Sequence, residues 1–419
     1  MHAYRTPEVL TSRVSQFGGT ANWTLATTFD GTGNMEPAMC EKSGIDEEEG
    51  TAPLALRFMI DRSGCGVSKP KTGRMRGSSV LMMNLRGIVS EACKNIVLAG
   101  VGSITILDPN YVSAEDLGAG FFFREHDIGQ RVNTINDSCY DFIMLKINFQ
   151  RVDVAKKRVN SLNPRVKVIG LTDDIESKVA EEGFLESFDI VCLTDSSSPV
   201  IQMVNACCRR AHKPFFAAAS LGINGYIFAD LLEHTYLSER EIKLDNGEIK
   251  TSSEKRTQEF FPFDVMQKSH LNHVTPRRLK KVSPLLWACL GELVSFSSTN
   301  RNVLIIPVGP LALFELQSKC NINYPEGEKH VSALIEISNQ LLEARGMEKS
   351  HVPHNLLRHL AITSEAEFIP SCAVIGSILS QEVLNAMGGK QAPLANFLVF
   401  DGEKCSGDIY ALGVQRNQS

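Results

Sequence analysis

The sequence predicts an α/β, doubly wound, Rossmann-like fold interrupted by an inserted, mainly helical region. Three observations predict it. Short apolar runs alternate with amphipathic stretches from residue 78 to 230, a glycine-bearing turn follows the first run, and an apolar run at 396–402 returns after a long break in the rhythm.

Val80-Leu81-Met82-Met83 is apolar throughout, as a parallel strand covered on both faces should be. Residues 88–98 follow with helical spacing, and Ile104-Thr105-Ile106-Leu107-Asp108 reads as the next strand. The pattern then predicts a helix over 129–162, stopped by Asn163-Pro164, and a strand over 166–171. A helix near 175–182, a strand over 189–193, a helix over 199–211 and strands over 215–219 and 226–229 complete a parallel sheet with helices on both faces. Past 233 the rhythm stops. Residues 239–257 are charged and polar, and 277–296 and 331–345 read as helices with no strands between. A buried helix over 367–387 and a strand over 396–402 rejoin the sheet. The chain therefore divides into a disordered or weakly ordered tail over 1–50, a first fold segment over 51–235, the insert over 236–355, a C-terminal return over 356–412 and a short tail over 413–419.

With 419 residues and 43% hydrophobic content, the chain can bury a sizeable core. A net charge of −5 offers no general attraction for nucleic acid or an anionic membrane, so a small molecule or a protein is the expected partner. The eleven cysteines are scattered, with Cys207 and Cys208 adjacent, and form no even framework of the secreted kind. A reducing compartment is expected. No apolar run reaches the roughly 18 residues of a membrane span, and the N-terminus lacks the order of a signal peptide. A soluble, intracellular protein follows from these readings.

In a doubly wound fold the first strand-to-helix turn holds phosphate, because glycines let the backbone approach and the helix N-terminus offers unpaired N–H groups. Here that turn is Asn84-Leu85-Arg86-Gly87-Ile88-Val89-Ser90, with a single glycine. Arg86 and Val89 put side chains where phosphate needs bare backbone, so a fold that kept its turn and lost its ligand is favoured. Asp108, ending the second strand, is placed either to accept ribose hydroxyl hydrogen bonds or to cap structure.

Leu81 to Gly87, Glu91-Ala92-Cys93-Lys94-Asn95, Leu98-Ala99-Gly100-Val101, Ile104 to Asp108 and Asp116-Leu117-Gly118 occur in an order that resembles a known adenylation fold. It is the fold of the ThiF/MoeB-like proteins and the ubiquitin-type activating enzymes. Asp127-Ile128-Gly129, Leu162-Asn163-Pro164, Phe188 to Val191, Phe368-Ile369-Pro370, Ala373 to Gly376, Gln381-Glu382-Val383 and Asn396 to Gly402 extend the likeness over residues 78–412. It implies that 51–235 is a ThiF-like, pseudo-active half. Active members carry an Asn-x-x-Arg-Gln-Phe-like stretch for ATP, where this chain has Asp116-Leu117-Gly118-Ala119-Gly120-Phe121. They also carry an Asp-Asn pair for magnesium and ATP, where it has Thr194-Asp195-Ser196-Ser197, and Asp195 reads more simply as a helix N-terminal cap. The family's thioester loop and its Cys-x-x-Cys zinc pairs are both missing.

Within the superfamily the chain is most similar to the small, non-cysteine subunits of the SUMO-type enzymes. That likeness implies a heterodimer with a larger catalytic subunit holding ATP and Mg2+, a SUMO-like modifier as substrate, and an E2 conjugating enzyme met through the dimer. No nucleic acid and no membrane enter, and the nucleus, with the cytoplasm second, is the implied location. An equivalent subunit for another ubiquitin-like modifier stays open, and a stand-alone dinucleotide-dependent oxidoreductase is the rival from another class. Ungapped counting back from Val80 sets Ile60-Asp61-Arg62 on the family's Tyr-Asp-Arg, whose arginine reaches the partner's ATP. Arg62 is thus the candidate catalytic residue acting in trans, a permanently charged fork suited to phosphate oxygens. The following Ser63 to Pro70 departs from the family pattern.

Three further features have two readings each. Pro276-Arg277-Arg278-Leu279-Lys280-Lys281 is a nuclear-import patch or the solvent face of a helix. His351, His354 and His359 are surface histidines before they are metal ligands, since no matching acid or cysteine set accompanies them. Phe121-Phe122-Phe123 exceeds what one sheet face hides and points to a partner contact, with core packing as the default.

Overall fold

The computed structural model describes residues 11–16, 19–24, 72–128, 130–133, 144–147, 149–243, 249–267, 312–320, 322, 324–325, 327–343, 349–389 and 391–412. Strands β1 (Thr11–Gln16) and β2 (Gly19–Thr24) pair antiparallel, so a hairpin lies where the sequence predicts no regular element. Its Thr, Val and Trp residues favour strands, but polar neighbours hide the two-residue apolar period.

The α/β rhythm runs α1 (Thr72–Gly77), β3 (Ser79–Met83), α2 (Gly87–Ala99), β4 (Ser103–Leu107) and the short α3 (Asp116–Ala119). It continues with β5 (Gln130–Asn133), β6 (Met144–Ile147), α4 (Arg151–Leu162), β7 (Lys167–Leu171) and α5 (Ile175–Ala180). The helix predicted over 129–162 is corrected to its last part, because β5 pairs antiparallel with β6. Leu145 and Ile147 fit a strand's two-residue period as well as a helical face.

Next come β8 (Ile190–Thr194), α6 (Ser198–Arg210), β9 (Phe215–Leu221) and β10 (Asn224–Asp230). Strands β11 (Glu233–Lys243) and β12 (Ile249–Glu259) then form an antiparallel ribbon inside the region predicted to be mainly helical. A ribbon that leaves Glu254 and Lys255 exposed needs no apolar stripe, so hydrophobic periodicity passes over it. Helices α7 (Phe263–Gln267), α8 (Ala312–Cys320), α9 (Glu328–Glu343), α10 (His354–Thr363) and α11 (Ile369–Gly388) precede β13 (Phe397–Asp401) and β14 (Ser406–Tyr410).

One eight-stranded sheet orders its strands β14-β13-β10-β9-β8-β3-β4-β7. The five from β9 to β7 are parallel, as predicted, while β10, β13 and β14 add on antiparallel. Only Gly222 and Ile223 separate β9 from β10, far too little chain for a parallel crossover. Successive residues of β3 point to opposite faces: fully buried Leu81 and Met83 join the core under α5, α6, α8, α9 and α10, and Val80 and Met82 join that under α2, α4 and α11. From β3 the chain builds outward through β4 to β7, then returns to add β8 and β9 on the other side. The C-terminal ends of β3 and β8 therefore flank the switch point, where doubly wound folds open their binding crevice. Among the described residues, no helix is long and apolar enough to cross a membrane.

Beside that crevice α2 crosses α11 closely enough that a Cβ on Gly376 would come within 2.7 Å of Glu91 Cβ and 2.8 Å of Ile88 O. Gly376→Leu should force the two helices apart and lower the unfolding free energy by about 1–3 kcal/mol. Urea denaturation checks this, and an unchanged midpoint would contradict the crossing.

Candidate functional site

The turn after β3 is tied down on both sides. Asn84 adopts the left-handed region at φ 64°, which asparagine tolerates better than most side chains. Its Nδ2 donates to Thr194 O at 2.7 Å and Ser196 Oγ at 2.8 Å, fastening the turn to the end of β8. Asp108, fully buried, braces the turn from the other side: Oδ2 accepts from Leu85 N at 2.6 Å and Arg151 Nη1 at 3.4 Å, and Oδ1 from Asn110 N and Nδ2 at 2.7 and 2.8 Å. Of the two roles open to Asp108, these contacts serve the structural one, with protein donors on both oxygens.

Arg86 and Glu367 fill the crevice above. Glu367, 280 residues further along the chain, accepts from Gly87 N at 2.7 Å through Oε1, at the position where α2 would offer its N–H to a phosphate. Arg86 Nε lies 3.5 Å from the same oxygen. Its Nη1 donates to Tyr324 Oη at 3.1 Å and its Nη2 to Glu365 O at 3.0 Å. Tyr324 Oη in turn donates to Asp195 O at 3.4 Å. The turn's one glycine is bare for packing: a Cβ on Gly87 would sit 2.9 Å from Cys372 Sγ, 3.0 Å from Ala119 Cβ and 3.1 Å from Glu367 Oε1. Val89 is corrected, for its fully buried side chain packs in the core under α2 and leaves Arg86 alone to enter the crevice.

Asp195 is not the predicted helix cap. Ser197 precedes α6, and Asp195 Oδ1 instead accepts from Ser220 N at 3.0 Å, across to β9. Its Oδ2 is buried without a hydrogen-bond partner. Burial raises the pKa of both Asp195 and Glu367, the Asp195 carboxyl raises that of Glu367 further, and the Arg86 guanidinium opposes both rises. The crevice thus holds one partly buried permanent cation, two buried carboxyls and a tyrosine.

Arg62 and the basic stretch at 276–281 lie outside the described residues. His354 begins α10 and is exposed, His359 Nε2 is buried without a partner, and His351 ends a short 3-10 helix; among the described residues no group of three or more metal-ligating side chains assembles. Phe122 and Phe123 are core, whereas Phe121 is 41% exposed under the Lys94 ammonium. Burial pushes the Cys372 thiol up to about 12 and raises those of Cys93, Cys192 and Cys208, against the thiolate that a transfer nucleophile needs. Glu367 and Tyr324 escaped the sequence reading. An acid directly before the buried helix at 369–388 was the available signal for the first, and nothing local marks the second.

A ThiF family model matches residues 65–418, and the chain belongs to the ThiF family. It is 30% identical over 372 residues to SUMO-activating enzyme subunit 1 of Homo sapiens, covering 88% of this chain and 97% of that protein. The Rattus norvegicus protein of the same name is 30% identical over 344 residues, covering 82% and 90%. The DNA damage tolerance protein RHC31 of Saccharomyces cerevisiae is 28% identical over 339 residues, covering 78% and 88%.

Arg86→Met keeps the bulk of the side chain and removes the cation that compensates two buried carboxyls, so it should destabilise the chain by about 3–5 kcal/mol at pH 8. A carboxyl whose folded pKa is raised contributes stability that is fully present below its unfolded pKa of about 4 and is lost as pH rises through the folded value. Without Arg86 the folded values rise further, so the deficit against wild type should narrow from pH 8 to pH 5. Urea unfolding at both pH values measures it; a deficit independent of pH would contradict the cluster.

Proposed function

We propose that this chain is the non-catalytic subunit of the heterodimeric enzyme that activates SUMO, paired with a larger subunit that carries the thioester cysteine. The filled phosphate turn carries this reading, together with relatives named SUMO-activating enzyme subunit 1. The residues present do not fit a nucleotide: Gly87 N is occupied by Glu367, the Arg86 side chain lies across the turn, and Asp108 has protein donors on both oxygens. A dinucleotide meets the same obstruction. ATP and Mg2+ belong on this reading to the partner, and SUMO and the E2 enzyme meet the dimer.

Arg62 is the residue assigned to act in trans, its guanidinium serving the partner's site, and the protein's place is the nucleus, with the cytoplasm second. Co-purified with a SUMO-type catalytic subunit, the chain should be required for ATP-dependent thioester formation on SUMO. Arg62→Ala should leave the dimer intact and slow adenylate formation roughly 10- to 1000-fold, the scale of losing one transition-state donor. Pyrophosphate exchange reads that step. Thioester formed equally well without this chain would defeat the proposal, and unchanged exchange would remove Arg62 from it.

A further inference from the structure

We propose that Glu367 and Arg86 are a tethered stand-in for a bound anion, and that they latch the inserted region onto the adenylation fold with no ligand required. In a nucleotide-binding turn the anion does two jobs: it satisfies the helix N-terminus and it bridges to the segments above. Both are done here by side chains. The Glu367 carboxylate takes the Gly87 N–H at 2.7 Å, and Arg86 carries the bridge onward to Tyr324 at 3.1 Å and the Glu365 carbonyl at 3.0 Å. Tyr324 lies between α8 and α9 of the insert, while Glu365 and Glu367 lead into α11, so three stretches remote in sequence meet at one guanidinium.

The surroundings are built for permanence. The side chain of Glu367 is 7% exposed, Asp195 is 6% exposed with Oδ2 unpartnered, and the space a Cβ on Gly87 would need is already taken by Cys372, Ala119 and Glu367. A partly buried cation among buried acids holds best when every member stays in place. Tyr324 reinforces the link with its ring, whose centroid lies 5.5 Å from Arg86 Cζ. The inference rests on the reading that this chain seats no nucleotide.

Glu367→Ala in the full-length chain tests it by hydrogen–deuterium exchange. The α8 and α9 amides should exchange about tenfold faster, while those of β3 and β8 stay protected. Sodium formate, a carboxylate small enough for the space vacated, should restore slow exchange in Glu367→Ala but not in the core variant Leu379→Ala. Should Glu367→Ala not accumulate folded, its refolding yield in formate against chloride gives the same answer. Unchanged exchange in α8 and α9, or a loss that formate does not repair, would overturn the proposal. Neither ATP nor SUMO enters the measurement, so its failure is distinct from a failed thioester assay.

Discussion

The ion pair between the partly buried Arg86 and the buried Glu367 carboxyl is the constraint on which the arrangement around the switch point depends. It stands where β3 hands over to α2, the place at which the sheet's strand order reverses. A doubly wound sheet opens a crevice there, and the helix N-terminus that lines it favours negative charge. Here the filling comes from the chain itself. The carboxylate meets the positive end of α2, and the guanidinium meets the carboxylate.

Such a pair is not a cheap source of stability. Two charges withdrawn from water lose solvation that their mutual attraction offsets only when geometry and hydrogen bonds are complete. Arg86 comes close to completeness through Tyr324 Oη, Glu365 O and Glu367, with Asp195 as a second acid nearby. What the pair contributes is position: it fixes the insert and the C-terminal return against the turn. A subunit whose part is to support another chain's site benefits from a crevice that has one state.

The alternating core was legible because buried parallel strands are apolar throughout, as in Val80 to Met83, and because their helices show one clear face. The ribbon β11–β12 was illegible for the converse reason, since a charged and polar two-stranded element carries no apolar period. In the site, the intrusion of Arg86 could be read from a missing glycine. Val89 was misjudged because a side chain one helical position round the turn faces the sheet and not the crevice. Glu367 was beyond local reasoning: its partner is 280 residues away, and no spacing rule joins them. Asp195 misled because an acid before a helix usually caps it, whereas here a left-handed backbone at φ 49° carries its side chain across to Ser220.

On the proposed function, this chain's own crevice is closed to nucleotide and the dimer's ATP belongs to the partner. Calorimetric titration of the purified heterodimer with ATP, beside the same titration of this chain alone, tests it most directly. The filled turn predicts one nucleotide per dimer and no binding to the isolated chain. Two nucleotides per dimer, or binding to the chain alone with the dimer's affinity, would contradict it.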